Sequence, residues 1–173
     1  MYQNGVMPTD EWFEKIKAHV DFKGKTVFDY GCAEGIMCKL ASEAGAKRVT
    51  GIDNQFDKVD KARELTKNCE GVDILGCSIR QVIPLKLGHY IPIFSMIIHW
   101  IGKEEFIRLS YNAETIIVVY RTPSSGYEQQ NGIWFPTQEE LDELIGVKPI
   151  HTEHLLNQGE DKNIVLSIYD KTK

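Results

Sequence analysis

Residues 26–53 constrain this chain more than any other stretch. They set two glycines between an apolar strand and an amphipathic helix, then end a second strand on a carboxylate. Thr26-Val27-Phe28-Asp29-Tyr30 has the β-branched and aromatic character of a buried strand. In Gly31-Cys32-Ala33-Glu34-Gly35, the glycines let the backbone turn sharply and approach a ligand with no Cβ in the way. Val49-Thr50-Gly51-Ile52-Asp53 then reads as a strand whose last side chain reaches the carboxyl edge of a parallel sheet. Asp53 lies about 18 residues beyond Gly35, close to the spacing of a nucleotide-binding βαβ unit. A carboxylate accepts hydrogen bonds from two adjacent hydroxyls, so the pattern predicts a cradle for a nucleoside with vicinal hydroxyls. The plainer alternative is that Gly31 and Gly35 serve only a tight turn and Asp53 only caps the next segment.

Strand and helix signals alternate around this unit. Thr9 or Asp10 can cap a first helix in which Trp12, Phe13, Ile16 and Val20 recur at helical spacing, so residues 1–23 form a helical lead-in. The spacing predicts a helix over 35–44 stopped by Gly45, its buried stripe made by Ile36, Leu40 and Ala44 with Met37 and Ala41. A strand over 48–52, a helix over 57–68 and a strand over 72–75 come next. Residues 81–91 carry Pro84 and Gly88 and lack a helical stripe where a crossover helix is due, so they read as an irregular connection. A strand over 93–99, a short helix over 103–109 and a β-branched strand over 115–120 lead to a polar loop over 121–132, long for a connection. Thr137-Gln138-Glu139-Glu140 is a capping-box pattern, opening a helix with Leu141, Leu144 and Ile145 on one face. Runs at 151–156 and 163–169, joined by a polar turn at 157–161, predict an antiparallel hairpin. The fold expected is α/β, a doubly wound and mostly parallel sheet with helices on both faces.

Composition narrows the function classes. At 173 residues the chain suits one domain, 1–173, rather than a cofactor domain plus a substrate domain. The formal charge of −5 argues against an extended phosphate-neutralising surface. Nucleic acid is thus a partner that is not favoured, although an acidic chain can still carry a local basic patch. No run of about 18 apolar residues occurs, so no membrane span is expected. The apolar stretch 91–101, interrupted by Pro92 and His99, reads as a buried strand. Met1-Tyr2-Gln3-Asn4-Gly5 lacks a basic and then apolar signal, which points to the cytoplasm. Cys32, Cys38, Cys69 and Cys77 show no C-x-x-C spacing; reduced, mostly buried thiols and no metal site are expected.

A parallel βα sheet ending in a hairpin, with Asp-x-Gly-x-x-x-Gly after its first strand, resembles the class I S-adenosylmethionine-dependent methyltransferases. The likeness in element order covers nearly the whole chain, and its specific motifs are Val-Phe-Asp-Tyr-Gly-Cys-Ala-Glu-Gly and Gly-Ile-Asp within residues 26–54. The resemblance implies a Rossmann-like, seven-stranded, three-layer αβα sandwich that binds S-adenosyl-L-methionine. It places the methionine part at Asp29, Gly31, Cys32 and Gly35, the ribose hydroxyls on Asp53, and the adenosine beside Asn54. Many members carry an acidic residue after the third strand for the adenine amino group; here the sequence is Gly76-Cys77-Ser78-Ile79. Adenine recognition then falls to Ser78 and to backbone near Ile79, unless Ser78 merely begins a loop. A dinucleotide fingerprint would need glycines where this chain has Gly31, Ala33 and Ile36, and only the first fits.

In the same family the end of the fourth strand faces the methyl group, here Met96-Ile97-Ile98-His99-Trp100-Ile101. The Asp/Asn-Pro-Pro-aromatic motif of base-amine methylation is missing, and His99 departs from the lysine, aspartate, lysine, glutamate set of ribose methylation. The stretch looks more like the small-molecule branch, with transfer to a nucleophilic oxygen or nitrogen. His99 is a candidate general base, since its ordinary pKa lies near neutrality; the alternatives are a packed core residue or a substrate-positioning one. Trp12, Trp134 and Tyr127 are candidates for a substrate mouth, although core or interface is the commoner place for such rings. Two other readings stand beside the enzyme: a non-catalytic cofactor-binding regulatory module, and an RNA methyltransferase that relies on a partner.

Overall fold

Alternate side chains of β1 (Thr26–Tyr30) leave the sheet on opposite faces, and each face has a core of its own. The computed structural model describes residues 9–82, 90–123, 133–155 and 164–172. Val27 packs with Trp12, Phe13 and Ile16 of α1 (Thr9–Lys17), with Met37, Cys38 and Ala41 of α2 (Ile36–Glu43), and with Val59 and Ala62 of α3 (Phe56–Thr66). Phe28 and Tyr30 face the other way. They join Ile98, Phe106 and Leu109 of α4 (Ile98–Ser110) and Leu141 and Ile145 of α5 (Gln138–Ile145). The result is three layers, helices over both faces of the sheet.

The remaining strands are β2 (Arg48–Asp53), β3 (Val72–Gly76), β4 (Tyr90–Ser95), β5 (Thr115–Arg121), β6 (His151–His154) and β7 (Ile164–Asp170). Their order is β3-β2-β1-β4-β5-β7-β6, with β1 to β5 parallel and β7 antiparallel to both β5 and β6. β1 therefore sits where the winding reverses, and in open sheets of this kind ligands bind outside the carboxyl ends of the strands at that point. The register sets Asp29 opposite Gly51 and Tyr30 opposite Ile52. Pro92 lies inside β4, but the ladder to β5 begins one residue later, at Ile93 opposite Ile117, so its missing N–H interrupts no pairing recorded on that side.

Two expectations need correction. Of the stripe expected on α2, Met37 and Ala41 are buried and Leu40 and Ala44 pack against the same core, but Ile36 is exposed and Cys38 is buried in its place. Positions 36 and 38 lie about 200° apart around a helix, so with Cys38 turned to the core Ile36 faces outward. The fourth strand stops at Ser95, not at residue 99. Met96 turns into the left-handed region, and residues 98–101 wind into the first turn of α4, which kinks at Gly102 before the helix expected over 103–109. The aliphatic run is strand-like in composition, yet Ile98 is drawn into the second core.

The capping box at Thr137 is present in full: Thr137 Oγ1 accepts the Glu140 N–H at 3.1 Å and Glu140 Oε2 accepts the Thr137 N–H at 2.9 Å. A polar cluster then seats α5 on the sheet. Gln138 Oε1 accepts from the hydroxyls of Tyr120 and Ser167, each at 2.8 Å, and its Nε2 donates to Asp142 Oδ1 and the Tyr169 hydroxyl, each at 2.7 Å. After β3 the described chain forms a short 3₁₀ turn, Ile79–Gln81, and Arg108 of α4 donates to the carbonyls of Val82 at 2.7 Å and Ile79 at 3.2 Å. Most of the irregular 81–91 connection, the polar loop beyond Pro123 and the hairpin turn at 157–161 lie outside the described residues. Among those described, no helix is long and apolar enough to cross a membrane, and no cluster of three or more His, Cys, Asp or Glu side chains is set to hold a metal ion.

Candidate active site

The glycine loop is pinned to the end of β2. Gly31 and Cys32 both donate their N–H groups to the Ile52 carbonyl, at 2.8 and 3.1 Å, and Gly35 N–H closes a turn on the Cys32 carbonyl at 2.8 Å. Gly31 has φ +77°, and a Cβ there would come within 2.9 Å of Ile97 Cγ1. Gly35 has φ +81°, and a Cβ there would lie 2.9 Å from Ala62 Cβ. Both positions thus demand glycine twice over, through backbone conformation and through the approach of a neighbouring element. Ala33, between them, is also left-handed at φ +46°. Such a conformation is uncommon without glycine and is held here by the loop's bonds to β2.

Asp53 organises this loop. It is buried, and its Oδ2 accepts the Ala33 N–H at 2.9 Å while its Oδ1 accepts the Gln55 N–H at 2.8 Å. Each oxygen keeps a further lone pair. Asn54 follows on the exposed carboxyl edge. Cys32 does not present its thiol outward; the side chain is buried, and its sulfur and that of Cys38 both crowd the space where Gly51 would carry a Cβ. The close packing of two sulfurs explains the glycine at 51.

Asp29 is the anomaly of the site. It is 1% exposed; its Oδ2 receives a hydrogen bond from the Cys38 thiol at 3.4 Å, and its Oδ1 has no hydrogen-bond partner. Burial pushes its carboxyl up to about 7; the thiol's hydrogen bond opposes that rise and the Asp53 charge adds to it. The neighbouring Cys32 sulfur, and then burial, push the Cys38 thiol well above its ordinary range. Such a thiol is a donor and a packing group rather than a nucleophile.

At the adenine end expected from the sequence, Ser78 caps the 3₁₀ turn: its hydroxyl oxygen accepts the Arg80 N–H at 3.3 Å and its own N–H donates to Gln81 Oε1 at 3.0 Å. The Ile79 side chain is buried in the second core. What the turn can offer a ligand is the Ser78 hydroxyl hydrogen and backbone.

His99 does not sit at a strand end. It is buried in the first turn of α4; its Nδ1 bonds the Trp134 carbonyl at 2.7 Å and its Nε2 accepts the Arg121 N–H at 2.9 Å. A carbonyl can only accept and an amide N–H can only donate, so the ring is the neutral tautomer with hydrogen on Nδ1. Burial lowers its pKa, and the nearby Arg121 charge acts the same way against the Trp134 carbonyl. A general base needs a lone pair facing substrate, and both ring nitrogens are already engaged. The imidazole ties α4, the end of β5 and the segment before α5 together, with Trp134 returning an N–H to the His99 carbonyl at 3.2 Å. Trp12 is core, Trp134 packs against the second core, and Tyr127 lies outside the described residues. Two aromatic side chains stand out near the carboxyl edge, each 68% exposed: Phe56, which follows the Asp53 turn and lies against Gly76 at the end of β3, and Trp100, the residue after His99.

Sequence reading missed the parts played in the site by Cys38, Ala33 and Ile97. Ala33 acts through its backbone and Ile97 through proximity, neither of which a residue type signals; Cys38 was expected as a buried thiol, with nothing to signal its bond to Asp29.

No family-wide sequence profile matches the chain. Ribosomal protein L11 methyltransferase of Shewanella baltica is 31% identical over 90 residues, which is 50% of this chain and 29% of that protein. The chain thus spans less than a third of that relative. Among solved structures, an S-adenosylmethionine dependent methyltransferase from Mesorhizobium loti superposes with TM-score 0.72 at 14% identity, covering 91% of this chain and 96% of that one. Magnesium protoporphyrin IX methyltransferase from Synechocystis PCC 6803, solved with bound SAH, gives TM-score 0.69 at 16% identity, covering 93% and 81%.

Proposed function

A member of the class I S-adenosylmethionine-dependent methyltransferase fold, this chain is, we propose, an enzyme that binds S-adenosyl-L-methionine along the carboxyl edge of β1, β2 and β3 and passes its methyl group to a nucleophilic oxygen or nitrogen of a small molecule. One observation carries the reading: two buried carboxylates flank a glycine loop, and each has acceptor capacity left over. Asp53 has one backbone N–H on each oxygen, so each can still accept from one of two vicinal ribose hydroxyls. Asp29 keeps a buried oxygen with no partner, which suits the ammonium of the methionine part. Gly31, Cys32 and Gly35 wrap that part with backbone, and the first turn of α2 brings N–H groups without helical partners to its carboxylate. Asn54 borders the adenosine, and the Ser78 hydroxyl with the backbone at Ile79 meets the adenine.

The cofactor supplies an electrophilic methyl group on a cationic sulfur. The chain's own residues bind, orient and exclude water, and transfer of this kind depends on alignment more than on a proton acceptor. We read His99 as a positioning residue that holds the turn from β4 to α4, with Met96 and Trp100 on it. The acceptor rests on this chain rather than on its relatives, whose names span a ribosomal protein and a porphyrin. The acidic charge supplies no general phosphate-binding surface, and the exposed Trp100 ring suits a planar small molecule.

Calorimetric titration with S-adenosylhomocysteine tests the first half; absence of binding at millimolar concentration would sink it. Transfer of labelled methyl from S-adenosylmethionine into a fractionated cell extract tests the second. Label in the low-mass fraction supports a small-molecule acceptor, whereas label in RNA that vanishes after ribonuclease, or in protein, overturns that class. Binding with no transfer to any fraction would leave a regulatory module.

A further inference from the structure

A carboxylate that is 1% exposed, with one oxygen unpartnered, is an expensive feature that the fold does not use. The titratable groups that face it are few. Cys38 of α2 donates to its other oxygen, Cys32 of the glycine loop lies beside Cys38, and Asp53 of β2 adds a negative charge. On the β4 side the register opposes it with apolar Ile93. Lys61 pairs with Glu34 at 2.9 Å on the exposed shoulder of the loop, and α3 otherwise meets the loop through Ala62. Among the described residues no cationic side chain lies against Asp29, so in the free protein a proton is its natural counter-charge.

We infer that ligand binding in this cradle is coupled to loss of a proton from Asp29: the ammonium of the cofactor's amino-acid end replaces the proton, which leaves to solvent, so affinity depends on pH. The inference rests on the cofactor reading given above. The exchange balances: a neutral carboxylic acid and an ammonium become an ion pair plus one proton in solvent. Burial that raises the free carboxyl to about 7 puts the exchange within the physiological range. The Cys38 thiol acts in the same equilibrium, because its hydrogen bond favours the charged carboxylate. The expected acid limb is a Kd that weakens roughly tenfold per unit below about pH 6 and levels off above about pH 7. An alkaline limb follows near pH 8, where the ligand's own α-amino group loses its charge.

The test is calorimetry of the full chain with S-adenosylhomocysteine at pH 6, repeated in buffers of different ionisation enthalpy, with adenosine as a second ligand. Release of the greater part of one proton per S-adenosylhomocysteine, and none per adenosine, is the expected result. Asp29→Asn should abolish the release and flatten the acid limb. Should that variant not fold, Cys38→Ala serves instead: loss of the thiol's hydrogen bond should move the acid limb to higher pH. Binding of S-adenosylhomocysteine with no net proton exchange at pH 6, or equal release with adenosine, overturns the inference while leaving the cofactor site intact. No binding of S-adenosylhomocysteine anywhere between pH 6 and 8 overturns the cofactor reading, and this inference with it.

Discussion

Ala33 donates its backbone N–H to Asp53 Oδ2 at 2.9 Å, so the carboxylate that ends β2 also holds the left-handed turn of the loop that follows β1. The two readings left open by the motif, a structural cap and a ribose acceptor, are not alternatives in this geometry. The bonds to Ala33 and Gln55 fix the carboxylate plane and leave a lone pair on each oxygen.

Asp53→Ala should therefore weaken two properties. Loss of a charge-assisted hydrogen bond is expected to cost about 1.5–3 kcal/mol of S-adenosylhomocysteine binding, roughly ten- to hundredfold in Kd. Two backbone N–H groups also lose their acceptor, so the urea midpoint should fall. An unchanged Kd in a variant of reduced stability would leave Asp53 a loop brace only.

Gly31→Ala meets two obstacles that can be separated. The left-handed φ costs about 1–2 kcal/mol with any Cβ present, and Ile97 must also move. Adding Ile97→Ala should restore the space but not the backbone cost, so the double variant should recover only part of the lost melting temperature. Strict additivity of the two losses would show that the contact is not felt.

His99→Ala should unfold the protein more readily without removing a catalytic group. The Trp134 carbonyl and the Arg121 N–H lose their partner, at roughly 1–3 kcal/mol for each buried group. The folded pKa lies below the ordinary 6.5, so the unfolded chain takes up a proton that the folded one resists. This contribution is complete above about pH 6.5 and fades as pH falls, and the variant should lose that acid sensitivity. A variant of normal stability whose kcat has dropped by orders of magnitude would instead make His99 the base.

Asp29→Asn should raise stability at pH 8, measured by urea denaturation. A carboxyl held near 7 in the fold, against an ordinary value near 3.8, favours the fold's protonated form. Wild-type stability then falls as pH rises from about 4 through 7, and the variant should escape that loss, on the order of a few kcal/mol. The advantage should shrink at pH 5. Equal stability of the two proteins at pH 8 would contradict the burial argument.

Much of the fold was legible because its signals are local. The β-branched and aromatic run at 26–30, the capping box at 137–140 and the glycines at 31 and 35 act over a few residues, and the structure places elements there. The end of β4 was not legible, since Met96 to Ile101 is aliphatic enough for a strand or a helix. Contact of Ile97 with Gly31 and burial of Ile98 in the second core accompany the helical turn. On α2 the buried face was legible at Met37, Leu40, Ala41 and Ala44 but not at its first turn, where Ile36 points out although it is aliphatic.

The sequence by itself determined the order of elements, the backbone that only glycine tolerates, and the presence of a carboxylate at or one residue before the end of each of two neighbouring strands, because these follow from steric and periodic rules acting along the chain. Tertiary structure alone decided what those groups do. His99 became a brace because two backbone groups from distant segments converge on its ring. Asp29 acquired an unpartnered oxygen and a thiol donor because α2 packs Cys38 against it and the free fold buries it, and a carboxyl's charge is set by what surrounds it.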